Sequence, residues 1–286
     1  MGHVIVPAAE ALLDQEFRVL DHGFVRLVDY LGGDSRIVQS ARVSYGGGTK
    51  TMREDRALID YLISHDHTSP FEQVVLTLHC KLPIFVARQW IRHRTARLNE
   101  ISGRYSVLDD ECYLPAESEV HFQSQTNRQG RAEQEVPPEL RTRVLDILQR
   151  GQQQACADYQ SLIEANIARE LARINLPLSV YTQWYWQMDL HNLLHFLKLR
   201  LDYHAQWEIR QYAAVIARLT RAVAPMAFDA FEKHVLQAVK FSGPELAALN
   251  NLLNGQPHGL NGIHKTEFEH KLSRLADPNS DRPVNP

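Results

Sequence analysis

The chain has 286 residues, 44% hydrophobic and 23% charged, with a formal net charge of -3. That is the composition of a globular protein able to bury a core without disulfides or metals. A slightly acidic balance excludes a global positive field for nucleic acid or anionic lipid, so any anion site must come from local clusters of arginine and lysine.

The first residues carry no basic region of a secretory leader, and Gly2 lacks the following hydroxyl residue that myristoylation needs. No apolar run is long enough for a membrane span. Residues 20–31 (LDHGFVRLVDYL) read as a strand ending at the Gly32-Gly33 turn. Asp34-Ser35 is a cap signal for a short helix through Arg42. Gly46-Gly47-Gly48 breaks the pattern and predicts a mobile loop. Residues 53–65 place Leu58, Tyr61 and Leu62 on one face of an amphipathic helix. Residues 72–82 are rich in β-branched side chains and predict a strand. Pro83 stops it and opens a helix over IFVARQWIRH.

Residues 115–138 are polar and end in Pro137-Pro138, the pattern of a long loop. Helix formers dominate 139–173, and Pro177 interrupts them. The stretch SVYTQWYWQM suits strand and helix alike. Residues 189–222 predict helix in two pieces meeting near Asp202, and Pro225 starts another to about Val239. The tail after Lys240 is mixed, and 277–286 predict a disordered end. Cys80, Cys112 and Cys156 are far apart in sequence and form no CxxC pair, which points to neither a disulfide framework nor a cysteine zinc site and fits a cytoplasmic protein.

The segment from Arg88 to Tyr105, RQWIRHRTARLNEISGRY, concentrates Arg88, Arg92, Arg94, Arg97 and Arg104 in an otherwise acidic chain. Guanidinium forks fit phosphate oxygens two at a time. Glu100 is the one acid among them, so a phosphorylated ligand is the natural partner. Ser102-Gly103-Arg104 adds a hydroxyl, an unobstructed backbone and a fork, a cradle for one phosphate. A solvated basic face is the bland alternative. Trp90, Ile91, Leu98, Ile101 and Tyr105 are interleaved with the arginines and weaken it, because part of the segment must be buried.

Arg92-His93-Arg94, Asn99-Glu100, Ser102 and Arg104-Tyr105 match in register the signature RHRxxSxNExSxRY, and the chain resembles the flavin-dependent thymidylate synthases. One signature position departs: Arg97 stands at the first serine. HTSPFEQ (67–73), PIFVARQW (83–90), ARINLPLSVYTQWYW (172–186) and LRLDYHAQWEIRQYA (199–213) look like the family's neighbouring segments. The resemblance runs from about Leu20 to Lys240. It implies a mixed α/β domain over 1–240, a central sheet packed by long helices, assembled as a homotetramer. Residues 241–286 are then a C-terminal extension, partly disordered.

The resemblance further implies that dUMP is methylated to dTMP with FAD, NADPH and 5,10-methylenetetrahydrofolate. FAD is expected at Ser69, Arg92, His93, Arg94, Glu100, Asp189, His191 and His195, with His67 nearby. dUMP is expected at Gln89, Arg92, Glu100, Ile101, Ser102, Gly103, Arg104 and Arg173. Arg200 is expected beside the uracil as the catalytic cation. No cysteine nucleophile is implied, and no GxGxxG follows a strand, so the flavin is not expected in a Rossmann site.

Two rivals of different chemistry remain at this stage, beside a third reading, a protein that keeps the fold and has lost activity, to which Arg97 alone points. His191 with His195, and His204 with Glu208, are spaced four apart like metal ligands, though without HExxH or a clear third ligand. The arginines with Trp90 and Tyr105 also suit RNA stacking, against the acidic balance of the chain.

Overall fold

The structure, a computed structural model, describes residues 4–43, 51–124 and 130–276. The glycine run 46–48 and the end 277–286 lie outside them. A short α1 (Pro7–Glu10) leads into the hairpin β1 (Glu16–Val19) and β2 (Gly23–Leu31). The strand read from residue 20 starts later because Leu20 sits in the turn with φ +60°. Then come α2 (Asp34–Val43) and α3 (Met52–Ser64), the latter opened by a Thr51–Glu54 capping box. The buried face of α3 is Ile59 and Leu62, while Tyr61 is exposed and stacks on His65 at 4.0 Å.

The Asp34 carboxylate does not cap its own helix. It accepts the N–H groups of Met226 and Ala227 at 2.8 and 3.0 Å, at the start of a helix 192 residues away. Strand β3 (Val75–Pro83) follows a 3-10 turn over Phe71–Gln73, and α4 (Ile84–Trp90) stops three residues short of the sequence expectation. Strand β4 (Arg97–Glu100) then occupies the middle of the arginine segment.

The polar stretch 115–138 is not simply loop. Strands β5 (His121–Gln123) and β6 (Arg131–Glu135) pair antiparallel within it. The long helix is α5 (Pro138–Glu164); it stops before Asn166, whose φ of +55° turns the chain toward the short α6 (Arg169–Ala172). The ambiguous aromatic stretch is a strand, β7 (Tyr181–Asp189). Helices α7 (Leu190–Arg200) and α8 (Trp207–Val223) are the two pieces expected around Asp202. Helix α9 (Pro225–Phe231) gives way to a π-turn over Glu232–Leu236 instead of running on. Helices α10 (Gly243–Leu253) and α11 (Gly262–Ala276) close the described chain, clipped together by Lys271 on Glu245 at 2.7 Å.

The main sheet is five-stranded and antiparallel, in the order β1-β2-β3-β7-β4. Strict alternation sends Leu76, Leu78, Cys80 and Leu82 of β3, and Trp184, Trp186 and Met188 of β7, to one face. There they meet Leu193, Phe196 and Leu197 of α7 and Ile209, Tyr212 and Ile216 of α8 to form the core. The opposite face carries a row through all five strands: Glu16, Arg26, His79, Tyr185 and Asn99 are successive cross-strand partners. Arg26 donates to His79 Nδ1 at 2.9 Å, which leaves Nε2–H to donate to Gln183 at 3.1 Å.

Candidate functional site

Trp90 anchors the site. It is fully buried, lies against Phe196 at 5.0 Å, and meets Trp184 and Trp186 edge-on at 5.4 and 5.3 Å. Removing such a side chain costs about 3–5 kcal/mol. This anchor ends α4 and turns the next residues outward, so Arg92 and Arg94 are exposed while His93 between them folds back.

His93 packs edge-on against Phe196 at 4.9 Å and lies 6.2 Å from the His195 ring. Arg200, at the end of α7, donates from Nε to His93 Nε2 at 3.1 Å. Burial, then the charge of Arg200 and then His195, holds the His93 ring down at about 4. Burial also lowers the Arg200 guanidinium.

The second half of the signature is an edge strand. Arg97 to Glu100 pair with β7, and the Ile101 N–H donates to Gln183 O at 2.9 Å. Thr182 donates its hydroxyl to Glu100 at 2.6 Å. A turn follows, in which Tyr105 and Ser106 donate backbone N–H to Ser102 O. Gly103 is buried at its centre. An added Cβ would lie 3.0 Å from Leu108 and 3.1 Å from Arg173 Cδ, so the turn and Arg173 are in contact and leave no room for a side chain. Arg104 meets Glu170 at 3.3 Å with both side chains more than half exposed.

Among the described residues, Arg88, Arg92, Arg94, Arg97 and Arg173 have no carboxylate within ion-pair distance. Guanidiniums without a carboxylate partner are free to take anionic oxygens, and four of these five lie within ten residues on either side of the Trp90 anchor. This donor set suits phosphate-bearing ligands.

A cleft of about 180 Å³, whose apolar lining includes Phe71, Leu194 and Phe231, reaches His195, the ring neighbour of His93. His67, His191 and His195 line it together with Lys198. Among the described residues no three His, Cys, Asp or Glu side chains make a metal-ligand group. Asp189 caps α7: its carboxylate accepts from Asn192 N at 3.0 Å and Nδ2 at 2.7 Å, so it is already committed. Ser69 is exposed in the turn before β3. Gln89 donates to Gln206 in the α7–α8 connection.

The sequence reading did not find Thr182, Phe196, Gln206, Leu108 or Tyr159 as supports of this site. Only the period-two alternation of β7, which sends Thr182 inward with Trp184 and Trp186, was available to flag one of them.

Residues 26–226 match the family model described as Thymidylate synthase complementing protein. The chain belongs to the flavin-dependent thymidylate synthase family. A second model, Thymidylate synthase ThyX C-terminal domain, matches residues 239–276 and so takes in α10 and α11. A flavin-dependent thymidylate synthase of Treponema pallidum (strain Nichols) is 60% identical, covering 95% of this chain and 89% of its own. Another, of Rickettsia prowazekii (strain Madrid E), is 48% identical over 93% of this chain and 95% of its own. Among solved structures, the UMP/dUMP methylase PolB of Streptomyces cacaoi, bound with 5-Br UMP, superposes with a TM-score of 0.69 at 30% identity; 77% of this chain and 96% of PolB are covered. Among the described residues no helix is long and apolar enough to cross a membrane.

Proposed function

We propose that this family member methylates dUMP to dTMP, with 5,10-methylenetetrahydrofolate as carbon donor and NADPH as reductant. The observation that carries the reading is the bond that joins Arg200 to His93, within a segment whose arginines at 88, 92, 94 and 97 have no carboxylate partner among the described residues. The flavin, when bound as FAD, supplies the hydride that completes the methyl group.

The chain's own residues bind and polarise. Arg92, His93, Arg94 and Ser69 hold the flavin, with His191 and His195 from α7 and with Asp189 acting through the helix end it caps. Ser102, the Gly103 backbone and Arg104 take the nucleotide phosphate, flanked by Arg173. Gln89, Arg92, Glu100 and Ile101 complete the nucleotide site. Arg200 lies beside the uracil, where a cation stabilises the negative charge that builds on the ring as C5 becomes nucleophilic. One such interaction is worth about 3 kcal/mol in the transition state.

Arg97 extends the anion-binding edge and adds a contact to FAD or to a neighbouring subunit. β4 is an edge strand, and Tyr105 at 78% exposed, Ile174 at 77% and Leu178 at 64% are large apolar side chains left open to solvent; both features support assembly into a homotetramer.

The deciding experiment is dTMP formation, under anaerobic conditions, from dUMP, methylenetetrahydrofolate and NADPH, with and without added FAD. Product that requires FAD and vanishes in Arg200→Ala supports the reading. A folded, FAD-saturated protein that yields none refutes it.

A further inference from the structure

Cys112 and Cys156 lie 44 positions apart in sequence, yet their sulfurs are 3.8 Å apart. All three cysteines are free thiols. Two features hold this pair together. Cys112 forms an isolated bridge with Val180, at the entry to β7, which fixes its backbone. Cys156 projects from the middle of α5, and its thiol also reaches Asp110 O at 3.9 Å.

The same face of α5 tethers the neighbouring segment elsewhere. Gln152 donates to Tyr113 O at 2.8 Å and to Ser179 Oγ at 3.1 Å, and the Tyr159 hydroxyl accepts the Leu108 N–H at 3.0 Å. Gln152, Cys156 and Tyr159 follow helical spacing, so one stripe of α5 grips residues 108–113 at three points. The two thiols sit in the middle of that grip. Both are half-buried and line an open cleft of about 760 Å³, so a small reagent reaches them.

We propose that Cys112 and Cys156 form a reversible dithiol–disulfide site that staples the segment leaving the Ser102–Tyr105 turn to α5. The sulfurs need to approach by less than 2 Å from their present 3.8 Å to reach the S–S bond length of about 2.05 Å. The co-reactant is a small-molecule disulfide. One cysteine thiolate attacks it, forming a protein mixed disulfide and expelling a thiolate. The other cysteine attacks the protein sulfur of that bond, closing Cys112–Cys156 and releasing a second small thiol. Two protein thiols are oxidised, one disulfide is reduced, and the two thiol protons end on the two expelled thiolates.

Burial, then the neighbouring Cys156, raises the Cys112 thiol to about 12, which disfavours its thiolate. Cys80 is fully buried in the core and does not compete.

The test is treatment of the purified full chain with oxidised glutathione, followed by denaturation, alkylation and mass measurement. Wild type should fall from three free thiols to one, lose two hydrogens in mass, stay monomeric on a non-reducing gel, and recover all three on dithiothreitol. Amide exchange over 106–113 should slow in the oxidised protein. Cys112→Ser and Cys156→Ser should each stop at a glutathione adduct, while Cys80→Ala behaves as wild type. Three surviving thiols, a stable adduct on wild type, or covalent dimers in place of the internal bond would each overturn the proposal. The wild-type measurement alone decides it if either serine variant fails to fold.

Discussion

Arg200 donates its Nε–H to the Nε2 of His93, so the end of α7 and the arginine signature are joined by one hydrogen bond of 3.1 Å. The bond fixes two things. It makes Nε2 an acceptor, so His93 is neutral with its proton on Nδ1. It also orients the guanidinium plane and leaves both terminal nitrogens for a ligand.

Arg200→Ala should therefore lower kcat/KM for dUMP about 100-fold, the equivalent of ~3 kcal/mol of lost charge stabilisation. Arg200→Lys should recover little, because an ammonium offers no planar Nε–H for His93 and no fork for the ring. Steady-state kinetics at saturating FAD separates these outcomes. Full activity in the lysine variant would show that the plane is irrelevant.

The depressed His93 ring makes stability depend on pH. Its folded value is about 4, against about 6.5 for a free histidine. Between these values the unfolded chain binds a proton that the folded chain refuses. Stability is therefore whole above about pH 6.5 and falls as pH drops toward about 4. His79 is lowered as well, first by burial and then by Arg26, and acts in the same direction. Because His93 is half-exposed its share is on the order of 1 kcal/mol. The urea midpoint should fall less between neutral and acid pH in His93→Gln than in wild type. Equal slopes would assign the acid sensitivity to other groups.

The arginine signature was legible because its chemistry is written in consecutive residues, with Arg92, His93, Arg94, Glu100 and Arg104 within one short segment. The strands read at 20–31 and 72–82 were legible, the first from its apolar pattern ending at Gly32-Gly33 and the second from β-branched composition, and they form over 23–31 and 75–83. Strand β7 was ambiguous because Trp and Tyr occupy both its faces: Trp184 and Trp186 are buried, while Tyr185 between them is 44% exposed. What failed was everything set by distant partners. The β5–β6 pair is made of polar residues, and Asp34 caps a helix 192 residues away. Cys112 and Cys156 meet only because α5 packs along the segment after the signature.

Tyr159 belongs to that illegible set and tests whether the turn is positioned from α5. It is almost fully buried, and its hydroxyl accepts the Leu108 N–H, while Leu108 packs against Gly103. Tyr159→Phe keeps the ring and removes about 1 kcal/mol of hydrogen bonding. The expected result is a rise in KM for dUMP of about fivefold with kcat nearly unchanged. A fall in kcat at constant KM would place the effect elsewhere.

Arg131, on the strand that the sequence read as loop, holds a buried charge. Its Nη2 bonds Glu208, which is 3% exposed, its Nη1 meets Glu119 at 2.7 Å, and its plane lies 5.4 Å over the Trp207 ring. Tyr113 donates to the same Glu208 oxygen at 3.2 Å and is its other hydrogen-bond donor among the described residues, while the Arg210 charge acts on the carboxylate without a hydrogen bond. Arg131→Met keeps bulk over Trp207 but leaves the carboxylate with one neutral donor. Breaking a buried pair from one side costs about 3 kcal/mol, because the remaining charge keeps its desolvation penalty without its counter-ion. Urea unfolding should show that loss in Arg131→Met. Adding Glu208→Gln in the same chain should recover most of it, since a neutral amide needs no cation. If the double variant is no more stable than the single one, the loss comes from packing on Trp207 and the β5–β6 hairpin is held by its apolar contacts.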